Sequence, residues 1–311
     1  MKSHQKCGAF CRPLLLAAAV GLLVVPSARS QTYGGGLGSS ETSGSPSTNA
    51  EASASVISAG GSENHYTWIE EFQGSSNTDG QVMLLDSSAG YLFGRHFLVG
   101  GGIPVYFVRA TTTSISGTST TNSFTALGDV YAQARLSFPS PVVNFKTQLT
   151  GRAPTGSTSD GISTGHPTYD WTNRIDRGFG NWTPFLEVGL ADSLPDAFIY
   201  RRPFVSYGNL AHFQLGAQYR VARWLGVAAS AFDVAPWGTQ TIDSRGNGNS
   251  KKVTGGSSLA ADNGFSAGVD LAPARAIDFT VGYSRSTHYS LNTISFGVVV
   301  NMREILRRPS L

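Results

Sequence analysis

The side chains of this sequence that could do chemistry are ionisable residues set at even spacings within short segments. Asp129 and Arg135, Lys146 and Arg152, Asp170 with Arg174 and Asp176, and His212 and Arg220 each fall an even number of positions apart. Glu187, Asp270, Asp86 and Asp278 stand in segments of the same kind. Even spacing places each set on one face of an extended strand. A face bearing both carboxylates and cations allows two chemistries: ion pairs that fill an interior, or opposed charges that orient a solute. The pattern alone leaves the two equal.

Other chemistry finds little support. H-E-x-x-H and the phosphate-cradling G-x-x-x-x-G-K-[ST] are absent. His65, His96, His166, His212 and His288 are scattered without metal-ligand spacing. His212, beside Gln214, shares the charged face and fits an interior lining better than a catalytic role. SDGISTG offers a calcium ion one carboxylate, Asp160, where several oxygen ligands are needed. Gly100-Gly101-Gly102 precedes no helix, so it reads as a bend or tight packing within a strand. The expectation is a non-enzyme with no cofactor and no metal.

The elements that position these residues follow from alternation. In the last segment Ile294, Phe296, Val298, Val300 and Met302 share one face and Thr293, Ser295, Gly297 and Asn301 the other. The same opposition recurs in 277–284, 264–271, 212–221 and 129–138. Punctuation by turn residues gives twelve strands: 66–74, 81–93, 96–109, 124–138, 143–153, 168–176, 182–192, 204–221, 225–235, 264–272, 276–286 and 291–302. Boundary error makes the count about twelve, within ten to fourteen. Connections at 94–95, 138–142, 177–181, 222–224 and 273–275 are short, while 111–122, 154–167, 193–203 and 236–263 are longer and polar. An even count with short turns on one side and long loops on the other predicts an all-β fold, an antiparallel transmembrane β-barrel. Phe93, Phe97, Phe138, Phe145, Tyr219 and Trp224 gather near the short turns, as an aromatic girdle would.

Composition agrees. Charged residues are 14% of the chain, against about 25% in an ordinary soluble protein. Residues 1–30 run from Lys2, Lys6 and Arg12 through the apolar block Leu14–Val25 to Ala28-Arg29-Ser30, the order of a cleaved signal peptide. They hold four of the 23 basic residues and none of the 20 acidic ones, leaving 19 against 20, a balance that gives no support for nucleic acid as a partner. Both cysteines, Cys7 and Cys11, lie there too, so a chain without that segment has neither disulfides nor thiolate metal sites. Residues 31–63 are Gly, Ser, Thr and Ala with little to bury, a disordered leader. The barrel is assigned to 64–302 and a short basic tail to 303–311.

The stretches LGDVYAQARLSF, LTGRAPTGSTSDGISTG and HPTYDWTNRIDRGFGNWTPFLEVGLADS, between Leu127 and Ser193, resemble acidobacterial-type outer-membrane barrels related to the family named after the meta-pathway of phenol degradation. Gly128-Asp129 at the head of one strand and Pro154-Thr155-Gly156 at the end of the next carry the likeness. The resemblance implies an outer-membrane location and passive uptake of small, hydrophobic or aromatic molecules, and brings no catalytic residues. It departs at the C-terminus, where Met302 is followed by REILRRPSL rather than a terminal aromatic. Expected partners are outer-membrane lipid, the barrel-assembly machinery and a small solute. The residues assigned to the lumen are Asp129, Arg135, Lys146, Arg152, Asp170, Arg174, Glu187, His212, Arg220 and Asp270. Two alternatives stand beside the pore: a non-conducting structural or surface-binding barrel, and an outer-membrane hydrolase.

Overall fold

The computed structural model describes residues 64–113, 119–140, 142–194, 204–245, 251–274 and 276–306. The proposed signal peptide and leader lie outside them. The first strands are β1 (His65–Asn77), β2 (Gly80–Phe93), β3 (Phe97–Thr113), β4 (Ser119–Leu127), β5 (Tyr131–Phe138), β6 (Asn144–Arg152), β7 (Thr168–Asp176) and β8 (Trp182–Ala191). They are followed by β9 (Phe204–Tyr207), β10 (Leu210–Ala222), β11 (Leu225–Pro236), β12 (Gln240–Ser244), β13 (Lys252–Gly255), β14 (Asp262–Ala274), β15 (Ile277–Ser286) and β16 (Leu291–Asn301).

Antiparallel neighbours run from β1 through β2, β3, β5, β6, β7, β8, β10, β11, β14 and β15 to β16, which pairs back on β1 from Ile69↔Asn301 to Ser76↔Ile294. β4 pairs with the loop-side part of β3 and β5 with the turn-side part, so the two share one place in a closed ring of twelve. Closure leaves no strand edge unpaired, which hydrocarbon demands because it offers a free amide no partner.

The alternation has the polarity of a membrane barrel. Outward-facing Leu215 and Ile294 are 64% and 63% exposed, while their inward neighbours Gln214 and Ser295 are 2% and 0% exposed. Apolar side chains outside and polar ones inside mean that the non-aqueous phase surrounds the protein. At the short-turn end, outward rings meet in pairs: Tyr66 with Tyr91, Phe93 with Phe97, Phe138 with Phe145, and Trp182 with Tyr219. These include five of the six aromatics assigned to the girdle, and Trp224 lies exposed in its turn. Glu70 also faces outward from β1, where its carboxylate accepts from Trp68 Nε1 at 2.7 Å and Ser87 Oγ at 2.6 Å.

Several expectations need correction. The predicted strand 124–138 is broken, because Gly128, Asp129 and Val130 oppose only Ile103 and Pro104 between the pairs Val105↔Leu127 and Gly102↔Tyr131. This extra residue is a bulge that reverses parity, so Phe124 and Ala126 turn inward. The predicted strand 204–221 is also two strands. Gly208 adopts φ +143, a conformation open to glycine, and swings β9 away from the wall. There β9 forms a separate sheet with β12 and β13, both inside the stretch 236–263 that reads as loop. The stretch 111–122 likewise reads as loop, but β3 and β4 remain paired as far as Thr113↔Ser119. Finally, Met302–Leu306 forms a single helical turn, with Asn301 Oδ1 accepting the amides of Arg303 and Glu304.

Candidate functional site: the barrel lumen and its loops

Inward-facing side chains build the lumen in tiers. At the short-turn end, Arg174 lies 3.8 Å from Glu187 and 3.7 Å from Asp176, and its guanidinium covers the Phe185 ring at 4.0 Å. Lys146 Nζ approaches Asp176 at 3.9 Å, and Asn144 Nδ2 donates to the same carboxylate. Arg174↔Glu187 and Lys146↔Arg174 are cross-strand partners, so strand register itself brings these charges together. Arg220 stands near this end of β10, beside the bulge at Arg220–Ala222. Asp270 and Asp278 face inward from β14 and β15, both half-buried.

Farther in, two glycines give larger side chains passage. Tyr131 on β5 lies across Gly102 on β3 and donates its phenol to Asp86 Oδ2 on β2 at 2.7 Å. His212 on β10 lies across Gly189 on β8 and meets Asp170 Oδ1 on β7 at 3.1 Å. A Cβ at either glycine would strike the crossing ring. Within the Gly100–Gly102 run, Gly102 is therefore space for the Tyr131 ring, while Gly100 and Gly101 lie close to the backbone carbonyls of Ala89 and Tyr131. Arg135, Glu71 and Gln133 are buried on the same inner wall, and Gln214, Ser230 and Ser266 join in a ladder across β10, β11 and β14.

Asp129 lies in the bulge and anchors the loop 153–167. Its Oδ1 accepts Gly156 N at 2.9 Å and its Oδ2 accepts Ser163 Oγ at 3.0 Å. Thr155 Oγ1 accepts Val130 N and donates to Gly128 O. The two marks of the resemblance, Gly128-Asp129 and Pro154-Thr155-Gly156, thus clasp each other. The clasp turns the loop into the barrel, where Ile162 buries itself against Val82, Leu84, Tyr106 and Val108. Arg245, following β12, also reaches in and lies over the Tyr106 ring at 5.0 Å, only 5% exposed.

Wall and loops enclose a chamber whose polar lining includes Asp86, Tyr131, Arg152, Asp170, Thr164 and Arg245. Its water-accessible space is about 70 Å³. Next to the chamber Asp192, just past β8, accepts Tyr169 N at 2.7 Å, and burial holds its carboxyl above the usual carboxylate range. Of the assigned lumen residues, Arg152 and Asp170 line the chamber beside Asp129, while Arg174, Glu187 and Lys146 form the separate lower tier.

Sequence reasoning misses Glu71, Tyr131 and Arg245. Adjacent Glu70 and Glu71 put one carboxylate on each face, so charge does not reveal which faces inward. Tyr131 reads as an ordinary polar-face residue, and Arg245 sits in a stretch that reads as loop. Ser163 also has the spacing of a nucleophile elbow, Gly161-Ile162-Ser163-Thr164-Gly165, which needs a strand-turn-helix setting. It lies instead in a loop, with its hydroxyl bonded to Asp129 and to the Gly165 amide.

No protein-family model and no curated protein matches the chain. Among solved structures it is similar to an outer-membrane channel from Pseudomonas putida F1, with a TM-score of 0.54 at 13% identity over 76% of this chain and 94% of that one. The KdgM porin is more distant, with a TM-score of 0.44 at 9% identity over 75% of this chain and 98% of that one. The NanC porin has the same TM-score at 8% identity over 74% and 98%. The first likeness establishes the fold, that of an outer-membrane β-barrel.

Proposed function

We propose that the chain is a passive outer-membrane channel for small solutes, with its narrowest passage at the chamber between the wall and the inward loop. One observation carries this reading: residues of both signs, Asp86, Asp129, Asp170, Arg152 and Arg245, line a space inside the barrel that is not fully closed. A barrel needing only a filled interior would gain stability from apolar packing there. The proposed family, that of the phenol-degradation barrels, is supported by the clasp its two marks form, and the Pseudomonas putida protein that shares the fold is a channel.

The test is reversal potential across a salt gradient in planar bilayers. Removing positive charge with Arg135→Ala and Arg152→Ala should shift selectivity toward cations. Unchanged selectivity in a conducting barrel would remove these side chains from the conduction path. The non-conducting alternative draws on the small water-accessible volume and makes the loops the site of contact. Ser163 and Ser266 each stand at the spacing of a nucleophile motif, Gly161–Gly165 and Gly264–Gly268, and a serine-directed reagent that labelled either would revive the hydrolase reading.

A further inference from the structure

Above the chamber, a second cleft lies between the β9–β12–β13 sheet and loop residues Thr164–His166. Its water-accessible space is about 160 Å³, against about 70 Å³ below. Thr164 and Val205 line both spaces, so the cleft adjoins the chamber. Sheet register explains its lining: Asp243 is paired with both Val205 and Lys252, and Thr241 with Tyr207, placing these side chains on one face. The His166 ring stacks on Tyr207 with centroids 4.8 Å apart and planes inclined by 22°.

Two charges in this cleft are unused. Asp243 is 6% exposed, yet its Oδ1 has no hydrogen-bond partner among the described residues. Lys252 stands directly opposite and exposed, and no ion pair joins the two among the described residues. Leaving a buried charged acceptor unpaired is costly, and a ligand donor would recover that cost. A simple cation would gain at Asp243 and be repelled by Lys252, and a simple anion would meet the reverse. Only a molecule carrying both charges gains from each, while the stacked rings offer its apolar part a flat surface.

We infer that the cleft binds small zwitterions of the amino-acid type, with the ligand ammonium on Asp243 and the ligand carboxylate on Lys252. The inference rests on the channel reading only for the fate of the captured molecule.

Calorimetry on the refolded chain in detergent tests binding without requiring conduction. The probes are L-phenylalanine, phenethylamine and 3-phenylpropionate, which share a ring and carry both charges, the ammonium alone or the carboxylate alone. L-phenylalanine should bind saturably and at least about tenfold more tightly than either companion, a step of about 1.4 kcal/mol. Asp243→Asn and Lys252→Gln should each weaken it about tenfold while retaining the heat-shifted gel migration of a folded barrel. No binding by the wild-type chain, equal binding of phenethylamine, or variants without effect would overturn the inference. If a variant does not refold, the ligand series on the wild-type chain still decides. Binding without conduction would refute the channel and spare this site; conduction without binding would do the opposite.

Discussion

Asp129→Ala should release the loop 153–167 from the lumen. The carboxylate accepts from Gly156 N and Ser163 Oγ at 2.9 and 3.0 Å. Hydrogen bonds to a charged group contribute about 1.5–3 kcal/mol each, and partial exposure of Asp129 favours the lower end. Their joint loss, about 3 kcal/mol, raises the released population about a hundredfold. Burial of Ile162 against Leu84 and Tyr106 opposes release but is the same with and without Asp129. Ile162, 4% exposed, supplies the reporter. A chain beginning at residue 31 has no cysteine, so Ile162→Cys introduces a single thiol. Maleimide labelling of Ile162→Cys should be slow, and adding Asp129→Ala should accelerate it by about two orders of magnitude. A change smaller than roughly threefold, less than 1 kcal/mol, would refute the reasoning that the clasp holds the loop.

Other variants probe the lumen wall. Gly189→Val should drive the His212 ring from Asp170, destabilise the barrel by about 1–3 kcal/mol in urea unfolding and alter the titration of the His212 ring by NMR. A native histidine titration in that variant would refute the crossing. Arg174→Met should cost about 3–5 kcal/mol by removing the buried cation beside Glu187, while Asp176 keeps Lys146 and Asn144, and adding Glu187→Gln should recover part of it. A double variant as unstable as the sum of the singles would refute the coupling, read from the same urea curves. Asp192→Asn keeps an acceptor for Tyr169 N and removes a charge that burial disfavours. Because the folded carboxyl is shifted upward, its protonated form favours folding at low pH, and wild type should lose stability relative to Asp192→Asn as pH rises through the folded value. Parallel stability curves from pH 3 to pH 8 would contradict that shift.

The wall of this barrel is legible in the sequence because lipid imposes a two-residue period without exception over most strands. Residues 212–221 and 291–301 display it directly, and strand register then assembles Lys146, Arg174 and Glu187 without further information. The loop end obeys no such period. One extra residue at Gly128–Val130 reverses parity and carries Phe124 inward, and a single glycine at 208 divides what reads as one strand into two serving different sheets. Arg245 and Ile162 enter the lumen through tertiary contacts with Tyr106, which local spacing does not encode. Asp129 is legible as a charged residue of the lumen, but its role as the anchor of a loop depends on partners 27 and 34 residues away.

The most direct test of the central claim is single-channel current through the refolded wild-type chain in a planar bilayer, with folding verified by gel migration. The account predicts discrete, small current steps, set by a chamber with about 70 Å³ of water-accessible space, that grow when Asp129→Ala frees the loop. A folded barrel that stays silent both as wild type and with Asp129→Ala would contradict it.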